Sequence, residues 1–236
     1  MQTWIQRAFA PIKKVLPSPI SDCIRNFVTA FLTPILFSRR TGHFKSSFLM
    51  KAVDRNGNPI PWYTYPCIDF LDKRDFKGRN VLEFGAGQST LWWGKRAQIV
   101  VSFEGDKSWY DQLKRIVGKN IYLHRVSMCS PNDCVSNVLS VIENRGYTKF
   151  DIIIIDGLFR YEMIEIAKNN LKCGGIIICD DSEGYGFYDG FKESGYQRID
   201  FYGNAPGVVM PRCTSIFFKD YSFIFDANVP IEIIAV

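Results

Sequence analysis

A chain of 236 residues with 47% hydrophobic content can bury one substantial core and a short appendage, but not two large domains. Its formal charge of +5 is lopsided: residues 1–40 hold Arg7, Lys13, Lys14, Arg25, Arg39 and Arg40 against Asp22 alone, and the rest of the chain balances. That speaks against a core domain with a broad basic face for nucleic acid and points to a cationic leader that meets something anionic. The seven cysteines are scattered without a C-x-x-C pair, which argues against a disulfide framework or a structural zinc site and fits a reducing, cytoplasmic compartment.

Residues 1–40 read as two helices separated by Pro17-Ser18-Pro19, the second capped at Ser21 and ending near Arg39-Arg40. Residues 1–50 are therefore expected to form a helical extension or lid, and 51–236 the core domain. The apolar run Phe27 to Phe37 is eleven residues long and broken by Pro34, short of the roughly 20 that a membrane span needs. It lies too far along the chain, and lacks a small-residue cleavage site, to read as a secretory signal, so no targeting segment is expected. Two uses fit the pair of helices: packing on the domain as a lid or homodimer surface, or peripheral attachment to a membrane. The cluster Asp54-Arg55-Asn56-Gly57-Asn58-Pro59 is a turn that separates leader from core.

From Asn80 onward short β-branched runs alternate with helix-length stretches, the pattern of a parallel sheet covered on both faces. Strands are expected at 80–84, 99–103, 121–126, 151–155, 176–179, 197–202 and 214–218. The unbroken Ile152-Ile153-Ile154-Ile155 places its strand near the sheet centre, buried on both faces. The last two runs are joined by Gly203-Asn204-Ala205-Pro206-Gly207 without a helix of the earlier length, so the sheet is expected to close with an antiparallel pair.

The first strand runs through Glu83-Phe84 into Gly85-Ala86-Gly87 and a helix opening near Gln88-Ser89-Thr90. Such a turn can offer backbone N–H groups to a ligand, and its glycines let chain and ligand approach closely. An acid at the end of an apolar strand needs a partner, which the ammonium or sulfonium of S-adenosylmethionine (SAM) would supply. Glu104 ends the next strand, where a carboxylate can accept both ribose hydroxyls. The third glycine of the dinucleotide pattern is replaced by Thr90, which ranks NAD below SAM.

Val81-Leu82-Glu83-Phe84-Gly85-Ala86-Gly87 followed by Ser102-Phe103-Glu104-Gly105-Asp106 resembles the first two motifs of class I SAM-dependent methyltransferases, over roughly residues 61–219. The resemblance implies a Rossmann-like seven-stranded α/β sheet, mostly parallel with an antiparallel last pair. It also implies cofactor contacts from Glu83, Phe84, Gly85, Ala86, Gly87, Gln88, Ser89, Glu104 and Gly105, with Ser127 near adenine. The aromatic cluster Pro61-Trp62-Tyr63-Thr64-Tyr65-Pro66 fits a wall over the methionine end, with Thr64 among the contacts.

Ligands in open α/β sheets bind outside the carboxyl ends of the strands, so Asp156-Gly157 and Asp180-Asp181-Ser182-Glu183 should share the crevice of Gly85. The stretches Ile155–Glu162 and Leu171–Asp181 resemble the metal-dependent O-methyltransferases of the catechol and macrolide-sugar type, and imply Mg²⁺ on Asp156, Asp180 and Asp181 beside an acceptor hydroxyl. Leu158-Phe159 stands where relatives often carry His or Trp. Only two histidines exist: His124 falls within a strand and reads as structural, while His43, in the Gly-containing joint between leader and core, is with Asp156 a candidate for the catalytic base. The reading is O-methylation of a small or glycan-like hydroxyl acceptor; an NAD-linked oxidoreductase and a non-catalytic binding module are the alternatives. The missing Asn/Asp-Pro-Pro-aromatic tetrapeptide speaks against base methylation of nucleic acid, as the missing Tyr-x-x-x-Lys pair does against NAD chemistry.

Overall fold

A computed structural model describes residues 14–226 together with Arg7, Ala10 and Pro11. The earlier of the two expected leader helices lies largely outside the described residues. The later one, α1 (Ser18–Thr41), begins three residues before the expected Ser21, because Pro17 and Pro19 already hold the backbone angle of a first helical turn. Ser21 instead donates its hydroxyl to the Ser18 carbonyl at 3.0 Å. Nor does Pro34 break the helix. The Thr29 and Thr33 hydroxyls donate to the carbonyls of Arg25 and Thr29 (2.8 and 2.7 Å), and the chain stays helical for 24 residues, about 36 Å at 1.5 Å per residue. The expectation that this region is too short to span is thereby corrected: by length and composition α1 could cross a membrane.

Gly42 at φ +83° ends α1 and leads directly into α2 (His43–Leu49). The Asp54 carboxylate then accepts the Asn56 and Asn58 amides, each at 2.8 Å, and closes the expected turn. Beyond it come α3 (Tyr65–Asp72), β1 (Asn80–Phe84), α4 (Gln88–Gly94), β2 (Ile99–Glu104), α5 (Lys107–Leu113), β3 (Ile121–Arg125) and α6 (Pro131–Asn144). The chain continues through β4 (Phe150–Ile155), α7 (Met163–Asn170), β5 (Leu171–Cys179), α8 (Phe187–Lys192), β6 (Gln197–Gly203) and β7 (Arg212–Phe218).

The strands form one sheet in the order β3-β2-β1-β4-β5-β7-β6. β1 to β5 are parallel, and β7 runs antiparallel to both neighbours. β4 lies at the centre, as its unbroken isoleucines require. Ile152 and Ile154 face a core with Leu71, Trp92 and Trp93 from α3 and α4, whereas Ile153 and Ile155 face one with Val138, Met163 and Phe187 from α6, α7 and α8. β5 starts at Leu171, earlier than its apolar run. Gly174 takes φ +72° and the register shifts between Phe150 and Ile152, so a bulge carries polar residues into the strand.

At the amino end of β4, remote from the carboxyl ends where ligands bind, buried Asp151 accepts the Asn80 amide (2.9 Å) and pairs with Lys172 (2.7 Å) and Arg79 (3.2 Å). Burial raises the pKa of this carboxyl, but the Asn80 amide and the two cations outweigh it and hold it below the ordinary 3.8. Its contribution to stability is present above that range and is lost as pH falls through the folded value. Asp151→Ala should cost about 2 to 3 kcal/mol in urea unfolding at pH 7, less than for a dry pair because Arg79 and Lys172 keep contact with solvent.

Candidate functional site

β1 and β4 are neighbours, and the turns that follow them touch backbone to backbone. Gly85 takes φ +101°, and a Cβ there would lie 2.7 Å from the Gly157 Cα and N. No side chain fits at this contact, and it draws residues 85–89 and 156–158 to one crevice.

Beneath the turn lies the fully buried Glu83. Its Oε2 accepts the hydroxyls of Thr90 and Ser102, each at 2.5 Å, while Oε1 has no hydrogen-bond partner among the described residues. Burial pushes its pKa up to about 7 against the opposing pull of the Ser102, Ser89 and Thr90 hydroxyls. Thr90 also accepts the Gly87 amide (2.9 Å), and Glu104 accepts the amides of Ala86 (3.1 Å) and Asp106 (2.7 Å). Two of the expected backbone donors are therefore held by the protein itself. Asp106 caps α5 by accepting the Trp109 amide (2.7 Å), which aims the indole N–H at the Ala86 carbonyl (2.7 Å).

The crevice has a volume of about 630 Å³. One half is formed by residues 85–89, Glu104, Asp106 and Trp109; the other by Trp62, Asp156, Arg160, Asp180, Asp181 and Arg212, with Leu158 and Val208 adding apolar surface. Arg160 organises the second half. It donates to the Asp180 carbonyl (2.6 Å) and to the Asp156 carbonyl and carboxylate (both 3.3 Å), pairs with Asp181 (3.6 Å), and lies 4.4 Å over the Tyr185 ring. Asp180 accepts the Thr214 hydroxyl at 2.7 Å. Burial, then the charge of Asp180, lifts the Asp156 carboxyl well above its usual range, against the pull of Arg160; burial is likewise the main cause that raises Asp180. Leu158, Asp181 and Tyr185 all take positive φ (+55°, +49° and +59°), conformations that side chains rarely adopt and that cluster at functional sites.

Asp156, Asp180 and Asp181 do share the crevice, but they do not form the expected magnesium site. Among the described residues no group of three or more His, Cys, Asp or Glu could hold a metal ion. The guanidinium of Arg160 already interacts with all three residues, two through their carboxylates and Asp180 through its carbonyl, and supplies the local positive charge. Carboxylates so engaged do not converge their oxygens on a common point as a hard cation requires.

Gly85, Ala86, Gly87, Gln88, Ser89, Glu104 and Asp156 line the crevice together. Glu83 supports the turn from below, and Phe84 packs its ring against Phe103 in the core. Gly105 and Ser127 line a separate shallow concavity beside Met128. Thr64 is fully buried: its amide donates to Thr214 and its hydroxyl to the Phe201 carbonyl (both 2.9 Å), so it braces the threonine that holds Asp180 and is not itself on the crevice. His43 is also outside the lining, with Nδ1 accepting the Gly207 amide at 3.3 Å. That removes the structural support for His43 as the base. His124 meets the Tyr147 hydroxyl at 3.0 Å, a packing role.

Sequence reasoning missed Trp109, Arg160 and Arg212. An aromatic in the first turn after the Asp106 cap, and an arginine four residues after Asp156, were the available signals. Trp62, from the aromatic cluster, does form part of the wall, with its indole N–H donating to the Pro206 carbonyl at 2.9 Å.

No protein-family model and no curated protein sequence matches the chain. Solved structures do. A precorrin-6y C5,15-methyltransferase from Geobacter metallireducens superposes with a TM-score of 0.50 at 15% identity, covering 66% of this chain and 87% of that one. An O-methyltransferase from Bacillus cereus, in complex with SAH, gives 0.48 at 15% identity over 92% and 98%. An rRNA methylase from Streptococcus thermophilus gives 0.45 at 13% over 64% and 93%. At such identities the likeness concerns the fold: a Rossmann-like methyltransferase sheet, mostly parallel with an antiparallel end pair.

Because Glu83 titrates near 7 when folded and near 4.5 when exposed, the folded protein holds this proton more tightly. The stability it contributes is full below about pH 4.5 and is lost as pH rises through 7. Between pH 5 and 8 the wild type should lose about 2 to 3 kcal/mol relative to Glu83→Gln, read as the difference between their urea unfolding curves.

Proposed function

We propose that this chain is a SAM-dependent methyltransferase that methylates the hydroxyl oxygen of a small or glycan-like acceptor. The observation that carries the reading is the charge of the crevice: Glu104, Asp106, Asp156, Asp180 and Asp181 line it against Arg160 and Arg212. An acidic cleft suits a ligand with a sulfonium, an ammonium and ribose hydroxyls, and disfavours the pyrophosphate of a dinucleotide. The fold supports the same choice, since dinucleotide-binding sheets run 3-2-1-4-5-6 whereas here β7 enters antiparallel between β5 and β6. Thr90, in the place of the third glycine, is buried and committed to Glu83 and Gly87. The volume, about 630 Å³, lies within the range of small-molecule sites.

When bound, SAM would supply an electrophilic methyl group for the acceptor oxygen, with the demethylated thioether as the leaving product. In this reading Glu104, fixed by two backbone amides, keeps lone pairs free for ribose hydroxyls. Trp109 and Trp62 wall the crevice and limit water. The acceptor must lose its proton, and a carboxylate of raised pKa is a better base than an exposed one, which assigns that step to Asp156 or Asp180. Arg160 holds both in place. A silent binding module is the poorer reading, because two buried like charges this close are costly to keep without a use.

Titration calorimetry tests the cofactor. SAM and its demethylated product should bind and NAD should not; Mg²⁺ should give no heat of binding, and EDTA should leave SAM affinity unchanged. Glu104→Ala should weaken SAM by at least about tenfold, the loss of a hydrogen bond to a charged group. Tight NAD binding without SAM binding would overturn the assignment.

A further inference from the structure

The helix α1 is 24 residues long, yet only 6% of its most apolar stretch is buried and Ser21 is its sole buried residue. Ile20, Ile24, Phe27, Phe31 and Ile35 follow one another at helical spacings of three and four, so they form a single stripe along one side. Asp22, Asn26, Thr29, Thr33 and Arg40 occupy the opposite side. Every member of the stripe is exposed, with Phe27 at 63% and Phe31 at 60%. An isolated helix owes little of its stability to propensity in water, so an apolar stripe of this length needs a partner.

A second exposed set continues from the first. Beyond Gly42, α2 and the residue after it present Phe44, Phe48, Leu49 and Met50. The α2 backbone packs on Gly207, whose neighbours Val209 and Met210 are exposed as well. Charge completes the pattern: residues 1–58 contain nine basic side chains, the six of residues 1–40 with Lys45, Lys51 and Arg55, against Asp22 and Asp54 alone.

We propose that α1 and α2 are a docking surface for an anionic phospholipid bilayer, with α1 lying in the interface and its apolar stripe turned to the acyl chains. Two such cationic surfaces would repel each other, whereas acidic headgroups attract both, which favours lipid over a second copy of the chain. A flat pose follows from the charges. Only 13 residues separate Arg25 from Arg39, about 20 Å of helix against the roughly 30 Å of a hydrocarbon core, and the polar side opposite the stripe would remain in water.

Co-sedimentation of the full chain with vesicles tests this, in one series of phosphatidylcholine alone and another with a third phosphatidylglycerol. Binding should appear with the anionic vesicles, fall at least tenfold with phosphatidylcholine alone, and weaken in 0.5 M salt, concentrations chosen to screen headgroup charge. The double variant Phe27→Glu, Phe31→Glu should bind the anionic vesicles at least tenfold less while keeping its circular dichroism and its SAM titration, which separates this surface from the crevice. Absence of wild-type binding, or equal binding by the double variant, would overturn the proposal. So would a wild-type dimer in analytical ultracentrifugation that the same substitutions convert to monomer, because the stripe would then be covered by a second copy.

Discussion

The crevice depends on a place where nothing but backbone fits. Gly85 after β1 and Gly157 after β4 meet so closely that a Cβ on either would lie 2.7 Å from the other's Cα. Because β1 and β4 are adjacent and parallel, their carboxyl ends emerge side by side, and the contact fixes both turns at the same level. The segment 85–89 thus faces Asp156 across a single cavity, and the remaining features of the site are arranged around that juxtaposition.

Two buried networks then hold the halves. On the side of the β1 turn Glu83, Thr90, Ser102 and Gly87 form a chain of hydrogen bonds below it, and Glu104 fastens it from above through Ala86. On the other side Arg160 gathers Asp156, Asp180 and Asp181, and Thr214 links Asp180 to Thr64. The difference in chemistry follows from the cation. A divalent ion would draw carboxylate oxygens to one point, whereas a planar guanidinium with five donors spreads them over its edges and takes two backbone carbonyls as well.

The leader obeys a different logic. Its helix is long and amphipathic but contributes almost nothing to the domain's core, so its apolar stripe is spent neither on folding nor on the crevice. Among the described residues it adjoins the crevice through the segment after β6, where Gly207 meets α2 and Val208 lines the cavity.

The sequence by itself determined the sheet. Seven apolar runs became seven strands, their boundaries close to expectation except for the early start of β5, because hydrophobic runs between glycine and proline punctuation are local properties that burial enforces. It also determined the turn at 85–89, where Gly85 is required by its positive φ and by its close approach to Gly157. What needed tertiary structure was the partner of each polar side chain. Asp156, Asp180 and Asp181 read as a metal set until Arg160 was seen among them, and Thr64 and His43 read as site residues until one proved a brace for Thr214 and the other a contact of Gly207. Likewise Pro34 reads as a break, and only the three-dimensional structure shows the helix running through it. Hydrophobic periodicity is set by neighbours a few residues away, whereas the partner of a charge is set by which loops the fold brings together, and that information is carried by no single stretch of chain.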